Sequence, residues 1–461
     1  MTKNFVAALT ASVFWAIVAN AQEADERTAD SQMSAAINAW QESLSLWTDG
    51  RYLDSLEVLD VVDPVPESMQ YSLDQAEGTI RAFVGDEAGA IEAFTRHLDV
   101  DVEPFDRASL NEPLAAADAL DTLRHMARDY RVVMINEAHN VSRHRAFTAE
   151  LLTALHADGF TAFAAEGFHE QTGSRMAEVG HPRHDQSAYI QDPFYAEMLR
   201  AAHALGMTIV GYEERAEQSC RPDCTTAENS ANREINQAQN LAAFVEANPD
   251  ARILVHVGYA HLSELVFEDL AHMKMGAHFT RLTGLDPLTI DQFRATPGVW
   301  PPHESALTFL YENYPINAPT IYFDAENEPY RIIDYADLTV IHPVLPDNDG
   351  RPGWIANSGY FERHPFNIDP SWLPETRPIV VMAHIAGEPD GAIAMDQLLV
   401  ESDTGLPVTL MLPEGDYHLS IQTLDDPDIE LGVYSAVSGE ALVPIGQSET
   451  DQESWANEGP P

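Results

Sequence analysis

The chain has 461 residues, 45% of them hydrophobic, and carries 74 acidic side chains against 25 lysines and arginines, a formal net charge of −49. That sign of charge repels polyphosphates and anionic lipid surfaces, so nucleic acid and anionic membranes are set aside as partners. The length allows two to four domains with real cores, and the charge fits solubility in saline surroundings without bearing on chemistry.

Residues 1–21 read as a secretory signal, with Lys3 as a thin basic start, an apolar stretch from Phe5 to Val18, and an Ala19-Asn20-Ala21 cleavage site, the cut falling after Ala21. A periplasmic or secreted protein follows, and no later stretch has the length of a transmembrane span. Residues 22–35 are polar and acidic and read as a flexible start. From Ala36 to about His97, Trp40, Leu44, Trp47, Leu53, Leu56 and Leu59 recur at helical spacing, with breaks at Asp49-Gly50 and Asp63-Pro64. The segment from Ala76 to Phe94 adds a hairpin of tetratricopeptide type. Region 22–114 is therefore expected to form a helical cap docked on the next domain, with a protein-partner surface as the alternative. After an acidic linker, a helix is expected from Ala115 to Asp129.

The informative stretch is 131–168. Val132 to Ile135 form a short buried strand ending at Asn136-Glu137-Ala138-His139, a helix follows through Phe147, Leu151, Leu152 and Leu155, and a second strand from Phe160 to Ala165 ends at Glu166-Gly167-Phe168. A polar stretch then reads as a loop over the site, and a helix from Pro193 to Leu205 leads to a third strand, Met207 to Tyr212, ending at Glu213. A fourth strand, Ala251 to Val257, runs into Gly258-Tyr259-Ala260-His261. Four apolar strands alternating with helices predict an α/β domain over 115–300 with a central, largely parallel sheet flanked by helices. In such sheets ligands bind at the carboxyl ends of the strands, where Glu137, His139, Glu166, Glu213 and His261 all fall. His256 and His261 are an odd number of residues apart, so His261 is expected to face the site and His256 to pack under the sheet. Cys220 and Cys224, the only cysteines, read as a disulfide pinning a loop of an exported protein.

Carboxylates and imidazoles at one rim can hold a divalent metal, with Glu137, His139, Glu166 and His261 as ligands, or can activate water without one. Glu137-Ala138-His139, Ala165-Glu166-Gly167-Phe168 and Gly258-Tyr259-Ala260-His261 resemble the motifs of the superfamily of erythromycin esterases, ChaN-type haem-binding proteins and TraB/Tiki proteins, over about residues 118–295. The resemblance implies an exported hydrolase acting on a small-molecule ester or a peptide. Its esterase branch would place hydrolysis on Glu137, His139 and Glu166, with His261 as the late histidine. Its Tiki branch implies a divalent metal (Mn, Co or Zn), and its ChaN branch haem binding without turnover, with His139, His144, His261 or Tyr259 as ligands. Asn136 stands where the family has glycine. The family's arginine has Arg143 and Arg145 as candidates, and Arg233 could stabilise an oxyanion. Arg143, His144, Arg145, Glu213 and Tyr259 are the expected substrate contacts.

Residues 301–375 read as a loop-rich extension of the α/β domain. From 376 to 445 four strands, beginning at Ile379, Gln397, Val408 and Tyr417, predict a small antiparallel β-sandwich, and 446–461 reads as a disordered acidic tail.

Overall fold

The computed structural model describes residues 26–445 apart from 61, 63–64, 99–101, 349, 403 and 425–427; the signal segment 1–21 and the acidic tail lie outside the described residues. Four helices come first: α1 (Glu26–Thr48), α2 (Tyr52–Asp60), α3 (Glu67–Phe83) and α4 (Glu87–Thr95). Helix begins at Glu26, so most of the stretch expected to be flexible is the first half of α1. The α3–α4 turn is closed by Asp86, whose side chain accepts from Gly89 N–H.

The apolar stripe of these helices does not dock chiefly where the sequence placed it. Trp40, Leu44, Trp47, Leu53, Leu73, Ile80 and Phe83 pack on Val380, Met382 and Leu399 of the C-terminal sheet. The Gln422 side chain accepts from Leu53 N–H and donates to the Gly50 carbonyl. The cap also touches the α/β domain: Tyr52 of α2 meets the Gln191 side chain at 3.3 Å, and Asn140 Nδ2 donates to the Ala90 carbonyl of α4 at 3.3 Å.

The expected helix from Ala115 starts later. Ala115–Asp118 is a strand, β1, which pairs antiparallel with β7 (Thr320–Phe323). Pairing with a distant strand overrides alanine's helical preference. Asp118 then caps α5 (Ala119–Ala127) by accepting from Asp121 N–H. In order follow β2 (Val132–Glu137), α6 (Ser142–Ala157), β3 (Ala162–Ala165), α7 (Thr172–Val179), α8 (Pro193–Ala204), β4 (Thr208–Val210), α9 (Thr226–Ala247), β5 (Ile253–Gly258), α10 (Met275–Thr283), β6 (Leu288–Asp291), α11 (Glu304–Asn313) and, after β7, β8 (Leu338–Thr339). Strands β4-β3-β5-β2-β6-β8 form one six-stranded sheet, every pair parallel. Val133, Ile135, Phe163 and Leu254 pack toward α5, α6 and α8, and Val132, Met134, Val255 and Val257 toward α9 and α10. This alternation buries both faces and explains why the strands read as unbroken apolar runs.

The predicted sandwich is present: β9 (His364–Asn367), β10 (Ile379–Ile385), β11 (Asp396–Val400), β12 (Thr409–Leu412), β13 (Gly415–Thr423), β14 (Ile429–Ala436) and β15 (Val443–Pro444). The larger sheet runs β11-β10-β13-β14-β15, and β9 pairs with β12. The domain therefore begins near 364 rather than 376. Val380 and Met382 face the helical cap, while Ile379, Val381 and Ala383 pack with Phe366, Leu410 and Leu412 of the small sheet. Two buried ion pairs fix these parts together. Arg363 meets Glu197 of α8, and Arg351 Nη2 lies 2.8 Å from Asp396 Oδ1. Cys220 and Cys224 form the expected disulfide. Among the described residues no helix is long and apolar enough to cross a membrane.

Candidate active site

Because β2, β5 and β3 are neighbours, their carboxyl ends stand side by side, with Glu137 level with Gly258 and Ala165 level with His256. Glu137 turns toward α6 and Glu166 toward α9, and Gly258 lies between them.

Glu137 is 1% exposed and fully engaged. Its Oε1 is 2.7 Å from His139 Nδ1, its Oε2 is 2.8 Å from His256 Nε2, and Arg145 grips both oxygens at 2.6 and 2.9 Å. Burial pushes this carboxyl up, but Arg145, His256 and the hydrogen bond from His139 outweigh it and hold the group well below the usual carboxylate range. Arg145, completely buried, also reaches Asp192 at 2.8 Å. His139 thus has one nitrogen pinned to a carboxylate, the arrangement that places the proton on Nδ1 and the lone pair on Nε2. Nε2 faces the Tyr189 hydroxyl at 3.2 Å.

Glu166 is neutralised separately. Its Oε1 takes Arg233 Nη2 at 2.8 Å, and its Oε2 accepts Gly258 N–H at 2.6 Å. Burial raises this carboxyl while His261, Arg233 and His139 bring it down, with a net lowering. Arg233 in turn bridges to Glu213 through Nε at 2.8 Å and Nη2 at 2.7 Å. His261 holds Nδ1 2.9 Å from Glu234 Oε2 and Nε2 3.6 Å from Glu166 Oε1. Burial works against its charge, but Glu234 and then Glu166 overcome that and raise its pKa above the ordinary imidazole value. Glu234, also bound to Lys274 Nζ at 2.9 Å, has its carboxyl brought down to about 2: burial is outweighed by His261 and Lys274.

Of the catalytic residues expected from sequence, Glu137, His139, Glu166, His261 and Arg233 meet at this edge. The substrate contacts fare differently. Tyr259 stands edge-on to His139 with ring centres 4.8 Å apart, on a backbone of φ 45°. Arg145 and Glu213 are buried partners of Glu137 and Arg233. His144, with no exposed surface, accepts Ala138 N–H on Nδ1 at 3.0 Å and meets Thr296 Oγ1 at 2.8 Å. Arg143 donates to the Pro343 carbonyl at 3.1 Å. These four build the site from behind.

His256 requires a correction. The odd-spacing argument let only one of His256 and His261 face the site, but the chain turns after Gly258, so both reach it: His256 shares a sheet face with Glu137, and it also meets Thr148 Oγ1 at 3.1 Å. Tyr189, Glu234 and Lys274 were missed as site residues. Tyr189 sits in an aperiodic segment with no motif. Glu234 carried one usable signal, two adjacent charges, Arg233-Glu234, on a helix with a buried face.

The proposed metal set does not suit a divalent cation as arranged. Each carboxylate is already neutralised by a guanidinium, Glu137 by Arg145 and Glu166 by Arg233, and a dication would face both positive groups. Among the described residues no group of three His, Cys, Asp or Glu is placed to hold a metal ion. Haem ligation by His139 meets a similar obstacle, because Tyr189 stacks on the ring at 4.3 Å and its hydroxyl lies against Nε2.

Gly258 is where the two halves of the site touch. A Cβ there would lie 2.5 Å from His139 Cε1 and 2.6 Å from Glu166 Oε2. Gly258→Ala should therefore displace both side chains and cut turnover at least about 100-fold, misplacement alone being worth that much; unchanged kcat in a correctly folded variant would show that the contact is irrelevant to chemistry.

No family model matches the chain, and no curated protein does. Among solved structures, one described as bacterial protein toxins is 19% identical with a TM-score of 0.31, covering 54% of this chain and 57% of its own. The type III effector HopBA1 is 14% identical with a TM-score of 0.31, covering 53% of this chain and 100% of its own. RRSP, a MARTX toxin effector domain from Vibrio vulnificus CMCP6, is 18% identical with a TM-score of 0.30, covering 54% and 55%. This chain thus spans little more than half of the first of these. Likeness at this level carries no argument about function.

Proposed function

We propose that the protein is an exported hydrolase that activates water with strand-end glutamate and histidine residues and cleaves an ester or peptide bond without a metal, in the manner expected of an erythromycin esterase. The observation that carries this reading is His139: Nδ1 is locked on Glu137, leaving Nε2 as a directed base at the carboxyl edge of the sheet. In the reaction, Nε2 takes a proton from water as its oxygen attacks the carbonyl carbon. The tetrahedral intermediate then expels the alcohol or amine, which takes up a proton, giving acid and alcohol or amine in total. Glu137 orients the imidazole and stabilises its charged form. His261, paired with Glu234, its pKa raised, and partly open to solvent, is the group suited to stabilise the oxyanion or protonate the leaving group. Arg233 was the earlier candidate for that role, but its Nε and Nη2 are committed to Glu213 and Glu166, so it positions Glu166 instead. The Cys220–Cys224 disulfide suits an oxidising compartment such as the periplasm.

The test is incubation of the purified protein with pooled ester and peptide substrates in ¹⁸O-labelled water. Label entering a product carboxylate at a rate set by protein concentration is expected. Absence of label across both pools would remove the hydrolytic reading.

A further inference from the structure

The segment between α7 and α8 has a role that its sequence does not announce. It carries Tyr189, whose ring stacks on His139 with centroids 4.3 Å apart and planes 16° from parallel. The Tyr189 hydroxyl is 3.2 Å from His139 Nε2, the nitrogen left free by Glu137. Burial, reinforced by Glu166, keeps this phenol protonated far above its usual range, so it is a neutral donor at any working pH. With the two rings nearly parallel, the hydroxyl sits over the imidazole face at Nε2 and leaves the in-plane lone pair open to the reacting water. It therefore lies within reach of that water and of the oxygen that water attacks.

The hydroxyl's place is not set by its immediate neighbours alone. The strap is stitched by its backbone to the C-terminal domain between β10 and β11. Ile393 N–H donates to the Pro182 carbonyl at 3.1 Å, His184 N–H donates to the Gly391 carbonyl at 3.1 Å, and Arg183 bridges to Ala392. At its far end Gln397, on β11, donates through Nε2 to the Gln191 carbonyl at 3.0 Å and to the Phe83 carbonyl of the cap at 2.7 Å. Tyr52 of the cap adds a contact to the Gln191 side chain at 3.3 Å. Two regions distant in sequence, the cap and the C-terminal domain, converge on eleven residues of strap, 182–192, whose one side chain reaching the base is Tyr189.

We propose that Tyr189 is a further catalytic residue, a hydrogen-bond donor to the attacking water or to the oxyanion, and that the C-terminal β domain serves the reaction by positioning it through the strap. This rests on the hydrolytic reading above. It assigns a role to a domain that would otherwise be an accessory, with Gln397 as a positioning residue 206 positions away from the Gln191 carbonyl it holds.

Tyr189→Phe keeps the stacked ring and removes only the hydroxyl. Two measurements on the full-length protein test the proposal. The first is the ¹⁵N resonance of His139 Nε2, which needs no substrate. It should shift in Tyr189→Phe as the donor is lost, and an unchanged resonance would overturn the contact itself, whatever the protein hydrolyses. The second uses a chromogenic ester such as p-nitrophenyl acetate. Tyr189→Phe should lower kcat about 10–100-fold with little change in KM. Gln397→Ala should lower kcat about 3–10-fold in the wild-type background and leave it unchanged in the Tyr189→Phe background, since a residue acting through another has nothing left to act on. Additive losses would show that the β domain does not work through Tyr189. A shifted resonance with no hydrolysis of any substrate would leave the contact standing and remove the hydrolytic reading, and the catalytic role of Tyr189 with it.

Discussion

His139→Ala is expected to lower hydrolytic turnover by about 10²–10⁴-fold, the range ascribed to a positioned general base, while the protein stays folded. The stability half of that expectation follows from what surrounds the ring. Truncation removes stacking on Tyr189 and the edge contact with Tyr259, each worth about 0.5–1.5 kcal/mol beyond area burial. Glu137 keeps Arg145 and His256, so no buried charge is stranded. This makes His139 the cleaner probe of chemistry than Glu137, whose replacement by glutamine would also disturb a buried ion pair. The check is kcat on the substrate found by isotope labelling, beside near- and far-UV circular dichroism. Activity within a factor of about three of wild type would dismiss His139 as the base.

Arg145→Met should be the most damaging single substitution for stability, at about 3–5 kcal/mol, because it strands buried negative charge. The guanidinium is fully enclosed and serves two carboxylates, Glu137 and Asp192, as well as the His139 carbonyl at 2.9 Å. Methionine matches the stem but supplies no donor. A pair of buried carboxylates then keeps only histidine, hydroxyl and backbone partners. The depressed pKa of Glu137 gives the sign with pH: its contribution is fully present above about 4.5, its unfolded value, and is lost as pH falls through the lower folded value. The variant, having lost the largest cause of that depression, should depend on pH less steeply in acid. Thermal melts at neutral and acid pH measure both effects, with a fall on the order of 10 °C at neutral pH. A drop below about 2 °C would mean that Arg145 is not holding the two charges.

The parallel sheet was legible because strands buried on both faces leave continuous apolar runs, each stopped abruptly by an ionisable residue. Glu137, His139, Glu166 and His261 could be picked out for that reason, and Gly258 before His261 marked where the backbone changes direction. What could not be read was which face each side chain takes once the strand ends. That choice put His256 on Glu137 and turned Arg145 and Glu213 from substrate contacts into buried counter-ions. Tyr189 was invisible for a different cause: its place is set by bonds to Gly391, Ile393 and Gln397, about 200 residues downstream, and nothing local in Ser187-Ala188-Tyr189 records them. The cap was misdirected in the same way, since an amphipathic stripe states that a face will be covered but not by what.

That stripe has a consequence for how the chain is made. Trp40, Leu44, Trp47 and Phe83 find their cover on Val380, Met382 and Leu399, which emerge from the ribosome about 300 residues later, about 15–60 s at usual synthesis rates. Until then the apolar face that Val380, Met382 and Leu399 cover stays open. The first and last parts of the chain thus share one core, which is complete only when the C-terminal sheet has been made.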